Sequence, residues 1–351
     1  MRLLARRLLA MLGALLAAFG LAEIAVRAAG VVAPLPSQYV RFAPDPVLPY
    51  RLQPGSEIRG RSGSDEFEFH YVHNASGFRD RERERAKPDG TFRILGLGDS
   101  FTYGAGVAAD ETYLARLERA LGSREGRAGS IEVVRAGVPR YFTRAERLLF
   151  EHDGEGWDPD LVLLGFVPND VVDTAVGTEG VRVTDDGRLI STDLAALLER
   201  LGGTSRWLYE RSHLARLGLR AWLARSRSTA PPAPRLDDVY RAGGPLETAW
   251  SEVEQELTRL ASLARNRAIP LVVVHLPQRP PWTPDRSYPA ERLAAWADAT
   301  GVTFIDTLPA LRAHARPDAL YWPIDGHPRA EGHAVFAEVL AEELVRRGLV
   351  P

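Results

Sequence analysis

The sequence predicts an α/β protein of three layers, in which a parallel sheet of about five strands lies between two layers of helices. From Thr91 onward, short apolar segments alternate with segments whose apolar residues recur every three or four positions. Strand–helix alternation requires crossover connections, which set parallel strands side by side and place helices on both faces. An apolar N-terminal stretch and a short region of alternating aromatic residues add a predicted membrane helix and a small β-containing lead-in.

Residues 1–29 are predicted to form a signal anchor or a signal peptide. The apolar run begins at Leu8, is interrupted at Glu23 and ends at Val26, which is long enough to cross a bilayer of ~30 Å. No clear A-x-A cleavage site precedes Pro34, which favours an anchor over a cleaved signal and a secreted protein. The basic residues before the run place the following domain outside the cytoplasm, in the periplasm; they are Arg2, Arg6 and Arg7. A buried amphipathic helix is the alternative.

The lead-in, residues 30–90, begins with a proline-rich, extended segment. It continues with aromatic and imidazole side chains that alternate with polar neighbours, a strand pattern formed by Phe67, Phe69, Tyr71 and His73. The charged run "RDRERERAKPDG" that follows is interpreted as a solvated surface.

Residues 91–351 are predicted to form the main domain. Its strands are predicted at Arg93–Leu97, Ile131–Ala136, Leu161–Phe166, Ile269–Leu276 and Val302–Ile305. Asp110 is predicted to cap a helix with Tyr113 and Leu117 on one face, a second helix carries Trp250 and Leu257, and the last runs from about Arg329 to Arg347.

Residues 174–246 interrupt this alternation and are predicted to be an insertion. It contains two helical segments, "DLAALLERL" and "SHLARLGLRAWLARS", and the proline-rich "STAPPAPRLDD". The insertion either frames a substrate groove or decorates the surface without catalytic consequence.

Bulk composition excludes several functional classes. The formal net charge of the 351 residues is −2, which gives no electrostatic case for binding nucleic acid. The chain has no cysteine, so thiol catalysis, disulfides and cysteine-ligated zinc are excluded. Asp325 and His327 could supply two metal ligands, but a third and a fourth are not evident, and no metal or cofactor is predicted.

The loop "GLGDSFTYGAG" follows the first strand of the main domain. It departs from three familiar patterns: Phe101 replaces the third glycine of a dinucleotide-binding loop, no lysine marks a P-loop, and Thr102 replaces the last glycine of a G-x-S-x-G elbow. Ser100 therefore remains either a nucleophile or the N-cap of the next helix. Parallel sheets bind ligands beyond the carboxyl ends of their strands, where this loop falls.

A nucleophilic serine requires a histidine base that a third group orients. Of the eight histidines, His327 stands out because "DGHPRAEGH" places it in a loop, two residues after Asp325 and just before the last helix. The others lie in predicted strands, helices or the insertion: His70, His73, His152, His213, His275, His314 and His333.

These segments resemble the SGNH hydrolases, also called the GDSL-like esterase superfamily. "GDSFTYGAGV" resembles its first block, "VVRAGVPRY" its second, "LLGFVPNDV" its third and "DGHPRAEGH" its last, over residues 91–351 without the insertion. Two departures are present: the last block usually reads D-x-x-H rather than D-x-H, and Arg135 stands where the second block normally has asparagine.

The resemblance implies a flavodoxin-like sheet and a catalytic triad of Ser100 as nucleophile, His327 as general base and Asp325 as orienting acid. The oxyanion hole would comprise the backbone N–H groups of Ser100 and Gly137 and the side-chain amide of Asn169. Two alternatives stay open: Gly137 as a turn residue with positive φ, and Asn169 as the cap of a helix starting at Asp170.

The function implied is that of an extracytoplasmic serine esterase that acts on O-acylated envelope glycans or lipids and is tethered to the membrane by its N-terminal helix. An O-acyltransferase with the same residues and an inactive carbohydrate-binding module are the alternatives.

Overall fold

The computed structural model of the chain describes residues 2–29, 40–124, 129–177, 181–191, 202–204, 207–209, 211–226 and 235–351. The chain divides into two compact units, one formed by Met1–Ser37 with Ile190–Pro232 and the other by Gln38–Leu189 with Ala233–Pro351. The second, larger unit holds the central sheet and all the predicted site residues.

Eleven strands are present among the described residues: β1 (Phe42–Ala43), β2 (Arg51–Leu52), β3 (Glu57–Arg61), β4 (Glu68–Val72), β5 (Thr91–Gly98), β6 (Ser130–Gly137), β7 (Leu161–Phe166), β8 (Val181–Val183), β9 (Leu189–Ser191), β10 (Leu271–His275) and β11 (Thr303–Asp306). The five strands predicted for the main domain correspond to β5, β6, β7, β10 and β11. They form one parallel sheet in the order β11-β10-β7-β5-β6. Counted along the chain, this is the flavodoxin-like order 2-1-3-4-5.

Alternate residues of the strands face two separate apolar layers, which is why most residues of the strands are apolar. Leu95 of β5 and Leu164 of β7 belong to one buried cluster, whereas Ile94 and Leu163 belong to the other. Helices cover both faces, so the predicted three-layer α/β/α fold is confirmed.

Among the described residues of the larger unit, the α-helices are Ser100–Tyr103, Tyr113–Gly122, Thr143–Leu149, Asn169–Val176, Glu247–Asn266, Tyr288–Thr300, Leu308–Ala313 and Ala330–Arg346. The predicted cap of the second of these is wrong. Thr112, and not Asp110, is the N-cap: its hydroxyl accepts from the backbone N–H of Ala115, because a turn carries the chain two residues further before the helix begins.

The lead-in contains two antiparallel pairs, β1 with β2 and β3 with β4. The aromatic alternation that predicted a strand corresponds to β4, in which Phe69 and Tyr71 are buried and their neighbours are exposed. The boundaries predicted for the lead-in, main domain and insertion remain predictions.

The smaller unit contains two long helices among its described residues, Arg2–Ala28 and His213–Ser226. The second matches the predicted segment "SHLARLGLRAWLARS". The predicted helix "DLAALLERL" lies outside the described residues, as does most of "STAPPAPRLDD". Leu9–Ala28 is apolar and long enough to cross a membrane, a property that anchors and signal sequences share.

Candidate active site

The site lies at the carboxyl ends of the central strands, where the chain after β5 turns directly into a one-turn helix. Asp99 caps this helix, since its Oδ1 accepts a 2.8 Å hydrogen bond from the N–H of Phe101. Ser100 is therefore the first helical residue, and the alternative that Ser100 is the cap is wrong. Gly98 has φ +152°, and a Cβ there would lie 2.0 Å from the Thr102 hydroxyl, so the tight turn requires glycine.

Ser100, His327 and Asp325 form one chain of hydrogen bonds, although 227 residues separate the serine from the histidine. The Ser100 Oγ is 2.8 Å from the His327 Nε2, and the His327 Nδ1 is 2.5 Å from the Asp325 Oδ1. The imidazole is 19% exposed and the carboxylate 7% exposed, so the histidine faces solvent on one side while the acid is enclosed. This is the geometry in which a serine can pass a proton to an oriented base.

The residue between Asp325 and His327 allows the two side chains to form a hydrogen bond despite the short D-x-H spacing. Gly326 has φ +86°, in the left-handed region, and the chain folds back so that the Asp325 carboxylate also accepts from the N–H of His327 at 3.4 Å. Around it, the N–H of Gly326 donates to the Trp322 carbonyl and the N–H of Trp322 to the His327 carbonyl, both at 2.9 Å. The loop is thus a closed turn.

Gly137 ends β6 directly opposite Gly98 of β5. Its φ is not in the left-handed region, so the turn alternative is wrong. Glycine is needed there for close approach instead, because a Cβ would lie 2.3 Å from the backbone nitrogen of Tyr103. Arg135 does not enter this loop; its guanidinium binds Glu118 at 3.1 Å.

Asn169 begins the helix that follows β7, and Pro168 occupies the cap position without a side-chain bond, so the alternative that Asn169 is a cap is wrong. The Asn169 Nδ2 donates to the Asp99 Oδ2 at 3.2 Å and to the Asp173 Oδ2 at 3.3 Å. The first bond joins Asn169 to the residue that precedes Ser100. The amide nitrogen is therefore held beside the start of the serine helix.

Four acids are packed behind this site. Burial raises the pKa of Asp99 to about 6, although the hydrogen bonds from Phe101 and Asn169 act to lower it. Burial also raises the pKa of Asp173. The carboxyl groups of Glu146 and Asp170 are fully buried, and burial reinforced by neighbouring carboxylates raises both pKa values well above their ordinary range. Neither Glu146 oxygen has a hydrogen-bond partner among the described residues.

Glu66 also contacts the site, although no sequence motif marks it. It lies in the turn between β3 and β4, and its carboxylate accepts from the backbone N–H groups of Ile324 at 2.9 Å and Asp325 at 2.7 Å. Burial opposes ionisation of Glu66, but these bonds and one from Ser64 outweigh it, so its pKa is lowered. No sequence pattern links this turn to the loop that carries Asp325 and His327, because 259 residues separate Glu66 from Asp325.

A second contact joins the lead-in to the same loop. The Trp322 indole packs on Phe67 with ring centroids 5.2 Å apart, and its N–H donates to the Gly106 carbonyl at 3.2 Å. The lead-in therefore supports the loop that carries Asp325 and His327. No group of three side chains suited to a metal ion occurs among the described residues.

The chain matches the model of the GDSL-like Lipase/Acylhydrolase family over residues 97–335, which is more than half of its length. The chain belongs to this family. The predicted resemblance is confirmed, and so is the prediction of a GDSL-type enzyme that acts on ester bonds. No curated protein matches the chain.

Several solved structures are similar to this GDSL-like protein. TesA shows 15% identity over 72% of this chain and 97% of its own, with a TM-score of 0.43. Axe2, an acetylxylan esterase from Geobacillus stearothermophilus, shows 16% identity over 74% of this chain and 96% of its own, with a TM-score of 0.42. The psychrotrophic esterase EstA from Pseudoalteromonas sp. shows 11% identity over 73% and 98%, also with a TM-score of 0.42. The family assignment rests on the family model and not on these likenesses.

Proposed function

We propose that this GDSL-like hydrolase is a serine esterase in which Ser100 is the nucleophile, His327 the general base and Asp325 the acid that orients the imidazole. The observation that supports it most is the continuous hydrogen-bonded chain from the Ser100 Oγ through both imidazole nitrogens to the Asp325 carboxylate. A carboxylate at Nδ1 keeps the proton on that nitrogen, which leaves Nε2 free to accept the proton of the serine hydroxyl.

The proposed reaction has two halves. The Ser100 oxygen attacks the ester carbonyl while its proton passes to the His327 Nε2; the alcohol then leaves with that proton, and an acyl-serine remains. Water attacks the acyl-serine and gives a proton to His327. The tetrahedral intermediate then collapses, His327 returns that proton to the Ser100 oxygen, and the carboxylic acid is released. The backbone N–H groups of Ser100 and Gly137 and the Asn169 amide would stabilise the tetrahedral oxyanion, each worth about 10²–10³ in rate.

The Asn169 amide has two N–H bonds, and both face carboxylates in this structure. We assign the bond to Asp99 a positioning role, because it holds Asn169 next to the serine turn. The N–H that faces Asp173 would turn to the oxyanion when substrate binds. Burial raises the pKa of Asp173, because the buried site disfavours the charged carboxylate that accepts this bond.

The proposed location is the outer face of the cytoplasmic membrane. Leu9–Ala28 is long and apolar enough to span a bilayer. Arg2, Arg6 and Arg7 precede it, and basic residues on the cytoplasmic side support a catalytic unit outside the cytoplasm. An anchored esterase there meets acyl esters of envelope glycans and lipids, and we propose these as the substrate class.

The test is ester hydrolysis by the full chain in detergent, with p-nitrophenyl acetate and an O-acetylated glycan as substrates. Wild type is expected to hydrolyse both, and Ser100→Ala to lose activity by about 10³-fold or more. Ser123→Ala is the control, because Ser123 is exposed and its hydroxyl donates to the Ala120 carbonyl of its own helix. Hydrolysis by Ser100→Ala at the wild-type rate would overturn the proposal.

A further inference from the structure

The acidic residue that interrupts the apolar N-terminal helix has a defined partner in the smaller unit. The Glu23 carboxylate accepts hydrogen bonds from the Ser212 hydroxyl at 2.7 Å, the His213 N–H at 2.8 Å and the Leu214 N–H at 2.9 Å. These groups stand at the start of helix His213–Ser226. Glu23 therefore caps a helix 190 residues away in the chain.

The Glu23 carboxylate pairs backbone N–H groups that the helix itself leaves unpaired. The first backbone N–H groups of a helix have no acceptor within it, and a carboxylate satisfies them and complements the helix dipole. A second residue of the N-terminal helix strengthens the junction: the Arg27 guanidinium donates to Glu23 at 2.6 Å and to the Arg211 carbonyl at 2.8 Å. The junction thus uses side chains from two turns of the N-terminal helix.

The position of Glu23 sets the depth of the junction. It lies five residues before the end of the apolar stretch Leu9–Ala28, which corresponds to about 7.5 Å along a helix. Acidic side chains at that depth are costly unless they are paired, and the helix start supplies the pairing. Helix His213–Ser226 has 14 residues, too few to cross a bilayer that needs ~20. It therefore fits the membrane surface rather than the membrane interior.

The exposed side chains of helix His213–Ser226 and of the residues just before it are of the types found at a membrane interface. Trp207 is 55% exposed and Trp222 is 53% exposed, and Leu208 is also exposed. Arg211 and Arg225 are exposed in the same segment, and the Arg211 guanidinium lies 5.6 Å from the centre of the Trp207 ring. Tryptophan concentrates at the headgroup level of bilayers, and arginine is attracted to anionic lipids.

We propose that the N-terminal helix is retained as an anchor, and that Glu23 docks helix His213–Ser226 onto it so that Trp207 and Trp222 lie in the headgroup layer of an anionic bilayer. The predicted insertion then has a role that the sequence left open: part of it is a membrane-surface element. This inference rests on the proposed membrane location and is independent of the proposed esterase chemistry.

The lipid contact is tested with the full chain reconstituted in phosphatidylcholine–phosphatidylglycerol nanodiscs. Tryptophan fluorescence is compared between ordinary lipids and lipids brominated in the upper acyl chain. Bromolipid quenching is expected in wild type and is expected to fall at least threefold in Trp207→Phe/Trp222→Phe. Trp157→Phe, which removes an indole that is only 1% exposed, is expected to keep the quenching. Equal quenching of the double variant and wild type would overturn the lipid contact.

The junction is tested by cross-linking, for which the absence of native cysteine is an advantage. Arg27→Cys/Arg211→Cys is treated with a short bismaleimide in the same nanodiscs, and an internal cross-link is expected. Met11→Cys/Arg211→Cys is the control, because Met11 lies 16 residues, or about 24 Å, further along the helix. The cross-linked fraction of Arg27→Cys/Arg211→Cys is expected to fall at least fivefold when Glu23→Ala is added. A smaller fall is expected when Glu23→Gln is added.

Two outcomes would overturn the docking. One is equal cross-linking with and without Glu23→Ala; the other is an intact mass showing that the membrane-purified protein lacks residues 1–28. Neither readout depends on hydrolysis, so a failure of the esterase proposal leaves this test intact.

Discussion

The backbone N–H of Asp325 donates a 2.7 Å hydrogen bond to the carboxylate of Glu66, a residue of the lead-in. The Glu66 carboxylate also accepts from Ile324, so its two oxygens hold two successive N–H groups of the triad loop. A small hairpin outside the central sheet thereby fixes the backbone of the proposed orienting acid. The lead-in is thus part of the proposed catalytic apparatus and not only a connection to the anchor.

We predict that Glu66→Gln lowers kcat about tenfold and leaves KM nearly unchanged. Glutamine has a single oxygen acceptor, so one of the two N–H groups would face the amide nitrogen and lose a charge-assisted bond worth about 1.5–3 kcal/mol. Steady-state hydrolysis of p-nitrophenyl acetate measures both constants. Glu68→Gln is the control, since Glu68 is exposed and forms an ion pair with Arg61 on the neighbouring strand. Equal kcat values for Glu66→Gln and wild type would show that the hairpin does not position Asp325.

We predict that Gly326→Ala reduces kcat by more than its effect on stability explains. The left-handed φ of +86° costs a residue with a Cβ roughly 1–2 kcal/mol, and relaxing it moves Asp325 relative to His327. Gly301→Ala is the matched control, because Gly301 has φ +69° at a helix end, with open space around it. Both variants are expected to lose similar stability in urea, while only Gly326→Ala loses turnover. Parallel losses of turnover in the two would contradict the role of Gly326.

We predict that Glu146→Met stabilises the protein at about pH 8 by ~2 kcal/mol and has much less effect at about pH 4. Burial raises the pKa of Glu146, so the folded state holds its proton more tightly than the unfolded state. The contribution of the Glu146 proton to the free energy of unfolding is therefore complete at low pH. It is lost as pH rises through the folded-state pKa. Urea unfolding at both pH values measures this difference, with exposed Glu252→Met as control. A gain that is the same at both pH values would mean that packing, not ionisation, is responsible.

The central sheet could be predicted because its signal is local. Each of the five strands is a short, mostly apolar segment, and the predicted β7 coincides with the observed Leu161–Phe166. Helix starts were harder to predict, since Asp110 and Thr112 are both good caps and only tertiary packing decides between them.

The candidate site could be predicted as a set of residues but not as a geometry. Ser100, Asn169 and His327 each lie in a recognisable block, yet only the fold shows that Gly326 closes the D-x-H spacing and that Gly137 is needed for close approach to Tyr103. Glu66 could not be predicted, because its role is a pair of backbone contacts that leave no trace in residue spacing.

The most direct test of the proposed triad is covalent labelling of the full chain by a fluorophosphonate, followed by intact mass. One adduct per wild-type chain is expected, and none is expected for Ser100→Ala. His327→Ala is expected to label at least 10²-fold more slowly, because the serine loses its base. Equal labelling of Ser100→Ala, or no labelling of folded wild type, would contradict the assignment of Ser100 as an activated nucleophile.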